Sequence, residues 1–212
     1  MREDICQEAL RLTGLLAAHP VGNQTQTHAL LALMFLNAAR SATRVNEAGH
    51  LLRLQDQDRS QWNAPMIARG LFHLAQSARG EKMTEYHLQA AIAACHCTAK
   101  DYASTDWRKI LSLYDCLLAF DGSPVIALNR AVAVANVNGP QAGVKAVESM
   151  PDREKLDSYY LVYAVLGEFE CRLNDPLAAA GYFRKSLLLT DNTRERQFLT
   201  ERFHECEMQM SA

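Results

Sequence analysis

The chain has no run long and apolar enough to span a membrane, and no apolar h-region follows its charged start, Met1-Arg2-Glu3-Asp4. It holds only 10 glycines and 6 prolines. None of them builds a phosphate-cradling Gly-rich loop or a dinucleotide fingerprint. A G-x-S-x-G elbow is missing, and the seven histidines form no H-E-x-x-H set. Excess charge of one sign is missing too. Lys+Arg number 22 against 24 Asp+Glu, a net charge of −2, whereas phosphate binding calls for a basic face. Direct DNA binding by this chain is therefore not expected.

The six cysteines are scattered. Cys95-His96-Cys97 is the one tight group, but neighbours on a helix point about 100° apart. Structural zinc wants C-x₂-C or wider spacing and a second ligand pair, and neither is evident. The expectation is a reduced, cytoplasmic protein with buried thiols, no metal, no cofactor and no catalytic residues.

What is present is helical periodicity. Apolar and alanine residues make up much of the 49% hydrophobic content. Ile5, Ala9, Leu12, Leu15 and Leu16 recur at helical spacing until His19-Pro20-Val21-Gly22 breaks the run. Positions 30–42 are nearly all apolar, which suits a central helix. Around Asn46-Glu47-Ala48-Gly49 the flanking residues suit a small β-hairpin near 44–54. Pro65 fits the first turn of a helix reaching Ala78, and 86–97 continues as apolar helix. Thr105-Asp106 offers a cap for a helix over 107–120. Ser123-Pro124, Gly139-Pro140 and Asp175-Pro176 each open a further Ala-rich helix, and Asn192 can cap the last.

The second half carries a weak repeat. Ala146 and Ala179, and likewise Met150 and Phe183, are 33 positions apart. Tyr163, Leu166, Gly167, Ala179 and Phe183 fall at the offsets of a tetratricopeptide helix pair. Small residues there let paired helices approach, and the aromatic fills the gap. At this spacing Val134 replaces the small residue of the earlier pair.

The densest polar stretch is 55–63. Asp56, Asp58, Arg59 and Ser60 stand there beside Trp62, one of only two tryptophans. Three readings are open. Asp and Ser can cap a following helix while Arg pairs with a carboxylate. Trp and Arg can anchor a partner protein. Two carboxylates with separated pKa values can act as acid and base. Further along, Tyr114, Asp115, Asn129 and Arg130 are candidates to line a groove or lock successive helix pairs. Asn129 is a polar amide inside an Ala/Val run, and the plainer reading is a buried amide satisfied by backbone.

The segment Leu54-Gln55-Asp56-Gln57-Asp58-Arg59-Ser60-Gln61-Trp62-Asn63 resembles the D-x-D-R-S-x-W-[DN] signature of one group of bacterial RNA polymerase sigma factors. These are of the extracytoplasmic-function type and carry a long tetratricopeptide-like C-terminal extension. Further blocks carry the resemblance: Glu8-Ala9-Leu10-Arg11-Leu12; Leu88-Gln89-Ala90-Ala91-Ile92-Ala93-Ala94 with His96; Thr105-Asp106-Trp107; Leu113-Tyr114-Asp115; Ser123-Pro124-Val125; Leu128-Asn129-Arg130-Ala131-Val132-Ala133-Val134; and Gly139-Pro140. Together they cover most of the chain. The promoter-reading domains that precede such an extension have no counterpart here, so the chain is expected to correspond to the extension.

The resemblance implies a regulatory protein-interaction domain that modulates transcription initiation. Its partners would be the promoter-reading domains of the same full-length chain and RNA polymerase. The signature would supply Asp56, Asp58, Arg59, Ser60 and Trp62 as interaction or structural residues. The alternatives are a free-standing helical-repeat scaffold for peptides, and a small-molecule sensor with a pocket at Asp56, Asp58 and Arg59. The expected fold is all-α: successive antiparallel helical hairpins, with a right-handed tetratricopeptide-like array in the C-terminal half. Positions 1–100 would form an N-terminal helical part carrying the signature and 101–212 the repeats, the two packed as one continuous unit.

Overall fold

The computed structural model describes residues 3–211 and is all-helical. Among the described residues ten α-helices run in order: α1 (Glu3–Ala18), α2 (Thr25–Ala38), α3 (Ala64–Ser77), α4 (Glu85–Thr98), α5 (Trp107–Phe120), α6 (Pro124–Asn138), α7 (Pro140–Glu148), α8 (Tyr160–Arg172), α9 (Pro176–Leu187) and α10 (Thr193–Met210). None of them is long and apolar enough to cross a membrane. Their starts follow the capping chemistry. Asn63 Oδ1 accepts from Met66 N–H at 2.9 Å ahead of α3, and Asp106 Oδ1 from Lys109 N–H at 2.9 Å ahead of α5. Asp175 Oδ1 does the same for Ala178 N–H at 2.9 Å, and Pro176 follows it at the first helical position.

The chain forms two compact units. The first comprises 1–46 and 52–117, the second 47–51 and 118–212, so the chain passes between them after 46, after 51 and, within α5, after 117. In the first unit α2 is central and packs against α1, α3 and α4. Gly70 on α3 permits a close approach to α2. A Cβ there would stand 2.7 Å from Leu36 Cγ on α2, so only glycine fits without a shift. Leu36, Trp62, Ala93, Ala94 and Cys97 form one buried cluster, and Ala17, Leu31 and Phe35 another.

In the second unit each helix packs on its successor from α6 to α10, and α6 also meets α8. This is the neighbour-to-neighbour arrangement of a helical repeat. The repeat length differs from the 33 read in the sequence. The helix starts Pro124 and Tyr160 are 36 apart, as are Pro140 and Pro176. On that register Ala131 matches Gly167, Gly143 matches Ala179 and Val147 matches Phe183, all buried. Hence Ala131, not Val134, is the small residue of the earlier pair. The misreading has a local cause: α7 ends at Glu148, so Met150 lies beyond it rather than in the place of Phe183. Gly167 and Phe183 do interlock as the pattern requires. A Cβ on Gly167 would lie 2.8 Å from the Phe183 ring.

The small β-hairpin expected near 44–54 is reduced to isolated bridge residues, Val45 and Leu51, around a turn with Gly49 at φ 84°. Among the described residues no strand forms. The flanks Ser41–Arg44 and Leu54–Asp56 wind into 3-10 turns, which leaves no extended backbone to lengthen a ladder.

Candidate functional site: the 55–63 segment

Between α2 and α3 the chain makes two short turns, Leu54–Asp56 and Arg59–Gln61. Asp58 caps the second. Its Oδ1 accepts from Ser60 N–H at 2.9 Å and from Ser60 Oγ–H at 2.7 Å. Those bonds to Ser60 hold the Asp58 carboxyl below its ordinary pKa, the opposite of what a general acid needs. Asp56 is engaged elsewhere, by Arg53 Nε at 2.6 Å and Nη2 at 3.2 Å. Asp56, Asp58 and Ser60 are all exposed.

Arg59 turns inward. Its Nη1 donates to His96 O at 2.9 Å and Ala99 O at 3.0 Å, and its Nη2 to Thr105 Oγ1 at 3.0 Å. The first two are carbonyls at the C-terminal end of α4, where a cation also meets the negative end of the helix dipole. Trp62 is 5% exposed and packs with Leu36, Ala93, Ala94 and Cys97. The Arg59 guanidinium carbon lies 4.9 Å from its ring centroid and that of Arg40 5.2 Å, both within cation–π range. Asn63 N–H donates to Ala39 O at 3.0 Å, just past α2. With its side-chain cap on α3, the segment thus fastens three helix ends: the C-termini of α2 and α4 and the N-terminus of α3.

Arg59 and Trp62, two candidate docking anchors, therefore present their working groups to the interior of the first unit. The cause is physical: an indole buries its large apolar face where a core exists, and α4's last carbonyls need a donor. Nor do Asp56, Asp58 and Arg59 converge on one pocket, because each is committed to a different neighbour. Four buried polar atoms around this segment lack partners: Arg40 Nε, Gln57 Oε1, Trp62 Nε1 and His96 Nδ1. Burial, with Arg40 and Arg59 adding repulsion, pushes His96 down to about 4, so it is neutral at pH 7. Burial likewise pushes the Cys97 thiol up to about 11, and its Sγ faces Leu36 O at 3.5 Å. Among the described residues no group of three or more His, Cys, Asp or Glu is placed to hold a metal.

The remaining candidates fall in different units. Tyr114 and Asp115 lie on α5 in the first, and Asn129 and Arg130 on α6 in the second. Tyr114 is half-buried, and burial raises its hydroxyl pKa. Asn129 is exposed, so the expectation of a buried, backbone-satisfied amide is corrected: it stands in the first turns of α6, one turn before Ala133, where the same side becomes buried. The residue that does lock successive pairs is Arg172 on α8, whose Nη2 donates to Ala135 O in α6 at 2.9 Å. Arg196 acts similarly on the end of α9, through Leu187 O at 2.7 Å and Thr190 O at 3.0 Å. Arg59, Arg172 and Arg196 share one device, a guanidinium on helix-terminal carbonyls, and sequence reading, which paired Arg59 with a carboxylate, missed it in all three. The available signal was an arginine just before or after a helix boundary.

Residues 1–78, which span α1 to α3 and the 55–63 segment, match a family of unknown function (DUF6596). A Rhizobium meliloti (strain 1021) protein described as uncharacterized is 35% identical over 197 residues, covering 92% of this chain and 46% of the relative. The chain thus spans about half the length of the curated relative it matches. No solved structure matches.

Proposed function

We propose that this chain is the regulatory interaction domain of a bacterial sigma factor of the extracytoplasmic-function type. It acts in the cytoplasm on the promoter-reading domains of its own full-length chain or on RNA polymerase, and it does not touch DNA itself. The signature resemblance supports the family, and a matched relative about twice as long supports a multi-part protein.

The observation that carries the interaction role is the outer face of α1. Ile5 (53% exposed), Leu12 (52%) and Leu16 (52%) share one side of the helix, with Leu15 (57%) beside them. The other side, through Leu10 and Ala17, packs with Leu31 and Phe35. A helix apolar on both sides is one whose second side awaits a partner. Driving a two-state protein from mostly inactive to mostly active takes about 5.5 kcal/mol of differential binding. A few buried leucines at about 1.5–3 kcal/mol each supply it.

The test is Leu12→Glu with Leu16→Glu in the full-length protein. Promoter output should change, and capture of the purified promoter-reading domains should weaken, while helicity and melting stay as in the parent. Unchanged output and unchanged capture in a folded double variant would remove this face from the mechanism. The helical repeat of the second unit favours a second reading, a free-standing peptide-binding scaffold. It predicts peptide binding by the second unit and no capture of promoter-reading domains.

A further inference from the structure

Helices α1, α2 and α3 of the first unit border a cleft of about 400 Å³, a volume in the range of small-molecule sites. Its walls are mostly apolar, with Leu10, Leu15 and Ala17 from α1 and Leu31 from α2. The polar side chains that line it are Arg11, His28, Arg69 and His73, all of them basic. No carboxylate is among the lining groups.

One connected array sets these groups around the same space. Arg69 and His73 lie one turn apart on α3 and so share a side of it. The Arg69 guanidinium carbon stands 4.3 Å from the Phe35 ring centroid. Phe35 stacks on His73 with centroids 5.9 Å apart, and His73 on His28 at 5.1 Å. The Nδ1 atoms of His28 and His73 share a hydrogen bond of 2.9 Å.

The positive charge of the array is only partly answered. Arg11 is held by Glu8 through two bonds of 2.8 Å. Arg69 is exposed, and among the described residues it has no ion pair and no side-chain hydrogen bond. Burial lowers the pKa of His28, and Arg79 adds repulsion. Burial lowers that of His73 as well, and His28 and Arg69 add repulsion. Gly14 is a second, independent sign. It sits inside α1, where glycine weakens a helix. Packing does not call for it, because a Cβ there would meet nothing within 4 Å. What the missing side chain leaves open is the cleft, which Gly14 lines.

We propose that this cleft binds a small monocarboxylate with an apolar body. The carboxylate pairs with the guanidinium fork of Arg69, and the body lies along Leu10, Leu15 and Leu31. A bare inorganic anion would leave the apolar walls uncovered, and a neutral apolar molecule would leave Arg69 without a counter-charge. The inference is independent of the regulatory reading.

The test uses the whole chain at pH 7.5 and fixed ionic strength, with hexanoate, hexanamide and inorganic phosphate as probes. Hexanoate should shift the ring NMR signals of His28 and His73 saturably, with one dissociation constant of about 1 mM or lower. Hexanamide should bind at least tenfold more weakly, and phosphate should leave the signals in place. Arg69→Gln should weaken hexanoate at least tenfold. Gly14→Leu should fill the cleft and abolish binding while melting no lower than the parent. If one variant fails to fold, the other decides, and the hexanamide comparison needs neither. Equal binding of hexanoate and hexanamide would mark a merely apolar surface and overturn the site. So would phosphate matching hexanoate, hexanoate binding that survives Gly14→Leu, or ring signals that no probe moves.

Discussion

In the first unit a nine-residue irregular segment closes the ends of three helices; in the second, helix pairs recur every 36 residues and close directly on one another. The first solution concentrates its stability. Trp62 alone touches the clusters of α2, α3 and α4, and Arg59 alone satisfies three oxygens. The second spreads it over equivalent contacts such as Gly167 against Phe183, so losing any one leaves its neighbours in place. Irregular backbone needs side chains to satisfy its polar groups, whereas repeated helices satisfy their own.

Four substitutions or conditions would break or sharpen that contrast. The largest effect is expected from Trp62→Ala, a loss of about 3–5 kcal/mol confined to the first unit. Hydrogen exchange should show α2, α3 and α4 opening while α8 and α9 keep their protection. Uniform loss across both units would mean that they unfold as one.

Acid should also act on the first unit. His96 has its pKa near 4 in the folded chain and near 6.5 when unfolded. Between those values the unfolded chain binds the extra proton. The neutral-His96 contribution is therefore complete above about pH 6.5 and falls away as pH drops towards 4, by roughly 3 kcal/mol. Urea titrations at pH 7.5 and 4.5 should show a smaller drop for His96→Gln than for the parent. Equal drops would assign the acid sensitivity to other groups.

Gly167→Ala should cost the second unit about 1–3 kcal/mol, since its methyl meets the Phe183 ring. Phe183→Leu in the same chain should recover part of this, and additive losses instead would break the interlocking account. The smallest effect is expected from Asp175→Ala, about 1 kcal/mol from the lost cap on α9. A melting shift no larger than that of an exposed control such as Gln141→Ala would show the cap to be dispensable.

Much of the fold was legible because it rests on local rules. The span 107–120 read from the cap at Asp106 coincides with α5, and the Asp175 and Asn192 caps open the helices they precede, whereas α3 is capped by Asn63 and not by an Asp or Ser of the 55–63 segment. Capping and 3.6-residue periodicity act within a few residues, so they are written in the chain locally. The repeat length was misread because two chance matches at 33, Ala146 with Ala179 and Met150 with Phe183, outweighed a register whose identities include Pro140 with Pro176 but whose core matches are only small-for-small and apolar-for-apolar. Asn129 was misplaced because an Ala/Val run does not reveal where along a helix the cover begins: Ala133, one turn on and on the same side, is buried. For the 55–63 segment, the residue types were conspicuous but their direction was not.

By itself the sequence determined an all-helical chain, most helix starts, a near-neutral charge balance and the presence of a repeat. Only the tertiary structure decided that Arg59 and Trp62 turn inward and that Arg40 Nε is left without a partner. The reason is distance along the chain. Arg59's carbonyl partners lie 37 and 40 residues away and are backbone atoms, which every residue carries and no side chain announces.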